Sequence, residues 1–226
     1  MDNNQGFKFK EARSLPVILL LDTSGSMSAN GNIDVLNSAV REMLADFSSQ
    51  HNNEVSIDVA IYAFGPEAKQ IIPFKKAAYA LEEYEDMEAC GGTPLGETLT
   101  LVKETLIEDK NALPSRSYRP MIVLVSDGMP NDEWESPLQA FCETGRSSKC
   151  FRMSLSIGNE KGTEAYEMLR KFASNSEMVF TADSASTIKR FFKFVTISTV
   201  GRSQSLNPNE IIAKKVEEIY DEDDIF

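Results

Sequence analysis

Histidine and cysteine are nearly absent from this chain. One histidine, His51, and three cysteines, Cys90, Cys142 and Cys150, occur in 226 residues. None of the cysteines stands in C-x-x-C spacing, so neither a zinc site nor a disulfide framework is indicated, and free, mostly buried thiols are expected. Positive charge is also short: 23 Lys and Arg face 35 Asp and Glu, a formal net charge of -12. Such a field repels phosphates, which argues against nucleic acid or an anionic membrane as the main partner. No window reaches the roughly 18 apolar residues that a membrane span needs. The opening "MDNNQGFKFKEARS" lacks the apolar region of a signal peptide, so the expected compartment is the cytosol.

Three common functional signatures are missing as well. There is no G-x-x-x-x-G-K-[ST] loop and no G-x-G-x-x-G, which leaves nucleotide binding without support. There is no G-x-S-x-G elbow for a hydrolase. His51 follows a predicted helix that starts near Asp22 and carries the chain roughly 25 Å to the other end of the sheet. It therefore cannot serve Ser24 or Ser26 as a general base.

What remains is ordinary globular material, 42% apolar and 26% charged, long enough for one domain of about 200 residues with tails. No repeat and no Pro-rich or Gly/Ser-rich linker divides it. We place an N-terminal tail at 1–13, the domain at 14–202 and an acidic helical tail at 203–226. In that tail Ile211, Ile212, Val216 and Ile219 share one side, with acids at Glu217 and Glu218 and an acidic tip at Asp221, Glu222, Asp223 and Asp224.

Within the domain, "PVILLL" at 16–21 is continuously apolar and reads as a strand buried on both faces. Apolar residues at Ile33, Leu36, Val40, Met43, Leu44 and Phe47 fall at helical spacing. "EVSIDVAIYAF" alternates as a strand, and "KQIIPFK" is a short edge strand because of its proline. A helix over 95–107 follows, with Pro94 at its first position. Next come the strand "MIVLVS", a helix from Asp132 whose "DEWE" resembles a capping box, and the strand "CFRMSLSIG". The helix "GTEAYEMLRKFA", the strand "EMVFTAD" and the helix "SASTIKRFFKFVTIS" complete the domain. This alternation predicts an α/β fold: a doubly wound, mostly parallel open sheet flanked by helices, with one short antiparallel edge strand.

Open α/β sheets bind ligands beyond the carboxyl ends of their strands. Asp22, Ser24 and Ser26 follow the first strand, Thr93 lies in a loop leading into a helix, and Asp127 ends "MIVLVS". All five are oxygen donors. Hard cations such as Mg²⁺ take about six oxygens. Two aspartates balance the double charge, and neutral hydroxyls leave the ion electrophilic enough to accept a carboxylate from outside.

These residues resemble the metal-ion-dependent adhesion site of von Willebrand factor A domains. "DTSGSM" fits the D-x-S-x-S motif, while Thr93 in "GGTPLGETL" and Asp127 in "VSDGMPND" fit its other two elements. The likeness covers roughly residues 14 to 200. It implies Mg²⁺ or Mn²⁺ held by the hydroxyls of Ser24, Ser26 and Thr93, with Asp22 and Asp127 binding directly or through water. It also implies a last position filled by a partner's Glu or Asp. Asp132 in "VSDGMPND" and the ending "ISTVGRSQS" look most like the bacterial TerY-type proteins of tellurite-resistance and stress loci. That narrower likeness implies a protein kinase and a PP2C-like phosphatase as partners.

Plainer readings compete at single positions. Asp22 and Ser24 could cap turns, Thr93 could cap the following helix, Asp132 could cap or support the site, and Trp134 could be an ordinary half-buried residue. The expected function is a non-catalytic, metal-dependent protein-binding module. An alternative is an aspartyl-phosphate phosphatase, which needs a second acid two residues after its nucleophile. Ser24 occupies that place. A further alternative is a self-assembling or autoinhibited domain that uses the acidic tail as its ligand.

Overall fold

The computed structural model describes residues 12–50 and 52–210. Its six-stranded sheet has the order β3-β2-β1-β4-β5-β6. The strands are β1 (Arg13–Asp22), β2 (Val55–Phe64), β3 (Ala68–Lys76), β4 (Met121–Ser126), β5 (Phe151–Ile157) and β6 (Val179–Ala182). All neighbours are parallel except β2 and β3. Every residue of β1 from Leu15 to Asp22 is buried, as is all of β4. Central strands covered on both faces need such continuous apolar runs. Pro73 sits in β3, the antiparallel edge strand, where a missing N–H costs no inner ladder bond.

Among the described residues six α-helices cover the sheet: α1 (Asn32–Ser48), α2 (Ala77–Glu83), α3 (Leu95–Val102), α4 (Glu135–Glu143), α5 (Glu164–Phe172) and α6 (Ala185–Gln204). Right-handed crossovers in opposite directions from β1 put α1 on one face and α3, α4 and α5 on the other. α6 packs with α1, and α3 packs with α4. Strand β1 lies where the winding reverses, with β2 on one side and β4 on the other. The crevice beyond Asp22 is thus the topological switch point at which such sheets take ligands.

Several boundaries differ from expectation. α2 had no counterpart in the sequence reading, because "AAYALEE" is too short to show a helical period. α3 ends at Val102 and continues as a π-type turn over Lys103–Ile107. Its cap position is Pro94, with the first helical residue at Leu95. α4 begins at Glu135 with Trp134 at its cap, so "DEWE" forms no capping box there. α6 runs beyond Ser198 to Gln204, since Thr199, Arg202 and Ser203 are buried too. Of the cysteines, Cys150 alone is buried; Cys142 is half-buried and Cys90 exposed, all three as free thiols. His51, the tail residues 1–11 and the apolar and acidic residues of 211–226 lie outside the described residues. Among the described residues no helix is long and apolar enough to cross a membrane.

Candidate metal centre

Pairing between β1 and β2 runs to the last register position, Asp22 opposite Phe64. Asp22 is therefore delivered at the sheet edge while wholly buried. The chain then turns: Ser24 N donates to Asp22 Oδ1 at 2.8 Å, the side-chain-to-backbone bond that makes aspartate a turn residue. The capping role considered for Asp22 is thus real, yet it occupies only one carboxylate oxygen. The other, Oδ2, accepts from Ser126 Oγ at 2.6 Å. Met27 is fully buried and anchors the far side of the turn.

The hydroxyls form a chain between the two aspartates. Ser24 Oγ lies 3.0 Å from Ser26 Oγ, and Ser26 Oγ donates to Asp127 Oδ1 at 2.8 Å. Asp127 follows the last residue of β4. Four of the five expected residues are thus joined directly through side chains or the Ser24 amide.

Thr93 reaches the same edge through its backbone. Its N–H donates to Asn131 Oδ1 at 2.9 Å, and its carbonyl accepts from Asn131 N at 3.2 Å. Two residues earlier, the Gly91 carbonyl accepts from Gly25 N at 3.1 Å, and Cys90 N donates to the Thr23 carbonyl at 2.8 Å. The Thr93 loop is thereby stapled to both other loops. Only glycine suits Gly91, which has φ +76 and would place a Cβ 2.4 Å from Pro66 N. A Cβ on Gly92 would sit 2.1 Å from Asn131 Nδ2. Thr93 does not cap α3: no side chain caps that helix from Pro94, and Glu97 N instead donates to Asp132 Oδ2 at 2.9 Å.

Ser126 and Asn131 were missed by sequence reasoning. Ser126 carried a weak signal as the one polar residue in the buried strand "MIVLVS". Asn131 carried none, since its partner is distant in sequence. Trp134 is buried, with Lys171 Nζ 5.7 Å from its ring centre, more covered than expected.

Electrostatics favour a cation here. Burial raises the Asp22 carboxyl above its ordinary value of 3.8; hydrogen bonds from Ser126 and Ser24 offset this in part, and the charge of Asp127 adds to the rise. Burial raises Asp127 likewise, against the Ser26 hydrogen bond. No basic side chain among the described residues pairs with either carboxylate. Two desolvated carboxylates without a counter-charge are costly, and a divalent ion removes that cost. Among the described residues no three His, Cys, Asp or Glu side chains gather to hold a metal. An ion at this edge must take hydroxyl oxygens, and the donors present fit a hard cation.

Solved structures share this architecture. Proximal thread matrix protein 1 from the mussel byssus is 18% identical, with a TM-score of 0.60 over 82% of this chain and 46% of that one. A further structure of it has zinc in its metal-ion-dependent adhesion site. The pilus adhesin SpaC of Lactobacillus rhamnosus GG is 15% identical, with a TM-score of 0.67 over 86% of this chain and 31% of that one. A von Willebrand factor type A protein of Catenulispora acidiphila is 19% identical, with a TM-score of 0.63 over 84% and 43%. At these identities the likeness is one of fold, and this chain spans less than half the length of each. No curated protein matches the chain. The profile of the von Willebrand factor type A domain matches residues 17–129, which hold all five candidate ligands and make up half of the 226 residues. This chain belongs to the von Willebrand factor type A domain family.

Proposed function

We propose that this domain is a non-catalytic, Mg²⁺- or Mn²⁺-dependent protein-binding module whose metal shell is completed by a carboxylate of the partner. The observation that carries the reading is the hydrogen-bonded set from Asp22 through the Ser24 amide, Ser24 Oγ and Ser26 Oγ to Asp127, with no basic partner among the described residues. The hydroxyls of Ser24, Ser26 and Thr93 would hold the ion, with Asp22 and Asp127 binding directly or through water. When bound, the ion supplies concentrated positive charge that an incoming Glu or Asp can ligate. An all-oxygen donor set is the chemistry Mg²⁺ and Mn²⁺ prefer, and the zinc-occupied site of the mussel protein supports a divalent ion at this motif.

SpaC is a pilus adhesin, which supports binding rather than turnover. So does the site itself, because a phosphatase of the aspartyl-phosphate class needs a proton donor where Ser24 stands, and an alcohol of ordinary acidity serves that purpose poorly. The protein kinase and PP2C-like phosphatase implied by the TerY-type resemblance are the first partners to try, in a bacterial cytosolic stress or tellurite-resistance setting.

The test is calorimetric titration of the domain with Mg²⁺ and Mn²⁺, paired with capture of these partners with and without EDTA. Saturable binding of an ion, lost in Asp22→Asn, and capture lost in EDTA are expected. Capture that persists in excess EDTA would refute the metal bridge. Turnover of any phosphoester that Asp22→Asn removes would replace the binding module with an enzyme.

A further inference from the structure

The amino-terminal end of the sheet, opposite the metal centre, holds a surplus of hydrogen-bond donors. Six buried side-chain polar atoms of the described residues lack a hydrogen-bond partner. Four of them, Ser14 Oγ, Ser117 Oγ, Arg146 Nη1 and Arg202 Nη1, surround the segment that leads into β4. Tyr118 N donates to the Ser14 carbonyl at 2.8 Å, Arg146 Nη2 to the Leu113 carbonyl at 2.8 Å, and Arg202 Nη2 to the Arg119 carbonyl at 2.6 Å. A buried donor left unmade costs as much as a lost hydrogen bond, so the two guanidinium N–H groups mark an end of the sheet where acceptors are short; of the four residues, Ser117 and Arg146 also line the cavity beside it.

Charge points the same way. Arg13 donates to the carbonyls of Arg116 and Ser117, Arg119 to that of Lys149, and Arg202 also to that of Pro208. A carbonyl satisfies a donor but leaves its full positive charge. No carboxylate among the described residues pairs with the guanidinium groups of Arg13, Arg119, Arg146 or Arg202. The nearby Glu108 is engaged elsewhere, accepting from the backbone N–H groups of Arg146 and Ser147 and from Lys103 Nζ. Burial, and then the charge of Arg119, draws the fully buried Arg202 guanidinium down to about 10. In a chain of net charge -12, this is a concentrated positive spot without a carboxylate partner among the described residues.

Beside it opens a cavity of about 430 Å³ lined in part by Ile107, Leu113, Tyr118, Arg119, Arg146 and Lys149. Its size lies within the roughly 300–1,000 Å³ of small-molecule sites, and its mix of apolar wall and few convergent polar groups is theirs too. We propose that this cavity binds a small amphipathic anion. The phosphate or carboxylate head meets Arg119, Arg146 and Lys149, and the apolar body lies on Ile107, Leu113 and Tyr118. Guanidinium groups suit either head because their parallel N–H donors match two oxygens at once. The site stands apart from the strand ends that carry Asp22 and Asp127, and it does not depend on the metal-binding reading.

Phenyl phosphate and benzoate serve as probes of the two heads, with benzyl alcohol as the uncharged control. Each is titrated into the full chain by calorimetry, in EDTA so that the metal centre takes no part. Lys149→Glu is the variant of choice, since Lys149 is exposed and its side chain makes no hydrogen bond among the described residues. Saturable binding of at least one anion, absent for benzyl alcohol and weakened about tenfold or more in Lys149→Glu, is the expected result. The stronger of the two anions identifies the head. Failure of both anions to saturate at millimolar concentration overturns the proposal, as does equal binding of benzyl alcohol. Unchanged affinity in a folded Lys149→Glu protein overturns it as well.

Discussion

At the carboxyl ends of the strands carboxylates meet hydroxyls, while at the amino ends guanidinium groups meet backbone carbonyls. Both poles satisfy most hydrogen bonds locally and leave charge without an opposite partner among the described residues. The resulting fields are opposite in sign and lie at opposite ends of one sheet. The difference between them is how tightly the charge is framed. Asp22 is fixed by Ser24 N and Ser126 Oγ, and the loops around it are stapled to one another by backbone bonds. The arginine pole keeps buried guanidinium N–H groups with no partner among the described residues. A site framed on every side by short bonds suits an ion of strict geometry; one with cationic side chains beside an apolar wall suits a ligand that brings an anionic head and an apolar body.

The comparison breaks most sharply at Asp22. Asp22→Asn keeps the shape and removes the charge, and divalent-ion affinity should fall by about a hundredfold or more, read by calorimetry. The pH dependence follows from sign. Burial places the folded-state carboxyls of Asp22 and Asp127 above their ordinary value of 3.8. The folded, metal-free protein therefore holds protons that the unfolded chain has released. That contribution to stability is full below the ordinary value and is lost as pH rises through the raised values. In EDTA, the urea midpoint of the wild type should drop on going up from the acid side, and less so in Asp22→Asn. Saturating Mg²⁺ at neutral pH should restore it in the wild type alone.

Asn37 tests whether the frame reaches beyond the ligands. Its side chain, buried in α1, accepts from Tyr84 Oη and Met87 N and donates to the Met87 carbonyl. It thus holds the segment that runs on to Thr93. Asn37→Ala should cost about 2 kcal/mol in urea unfolding, because it strands buried groups on both partners. A loss below about 0.5 kcal/mol would mean that water replaces the amide there and that the frame is looser than its bond pattern suggests.

How much of this was legible in the sequence depended on whether a residue's partner is local. β1 and β4 are unbroken apolar runs, and α1 repeats at helical spacing, so both types of element announced themselves. The five oxygens were legible because D-x-S-x-S is contiguous and the other two sit beside glycines at strand or helix ends. Asp132 was misread as a cap for α4 because the N–H it accepts from belongs to Glu97, 35 residues away in sequence. The capping role weighed against metal binding for Thr93 falls to Asp132 through the same long-range bond. The arginine pole was invisible for a related reason: carbonyl acceptors exist at every residue, so no side-chain pattern records which of them an arginine will find.

Asn131 sharpens the comparison at the level of positioning. Its side chain accepts from the Thr93 N–H and its own backbone N–H donates to the Thr93 carbonyl, and it holds no ligand role. Asn131→Ala should weaken the ion about tenfold through misplacement of Thr93, the usual size of effect for groups that orient a ligand. Asn131→Asp keeps the acceptor for Thr93 N–H and should recover most of the affinity. A variant that merely unfolded the loop would not be rescued in this way.

The smallest effect is expected at Asp132, where the metal pole joins the helix layer. Its Oδ2 accepts from Glu97 N in the first turn of α3, while its Oδ1 is buried without a partner. The first bond gives a helix terminus an acceptor and a negative charge where its dipole favours one. The second leaves part of the carboxylate underused, which lowers its net worth. Asp132→Ala should therefore cost about 1 kcal/mol, at the centre of the range for lost caps. Metal affinity should stay within about twofold of the wild type, because Asn131 still grips Thr93 from the same loop. If affinity instead fell as far as in Asn131→Ala, Asp132 would belong to the frame of the metal site and not only to the helix it caps.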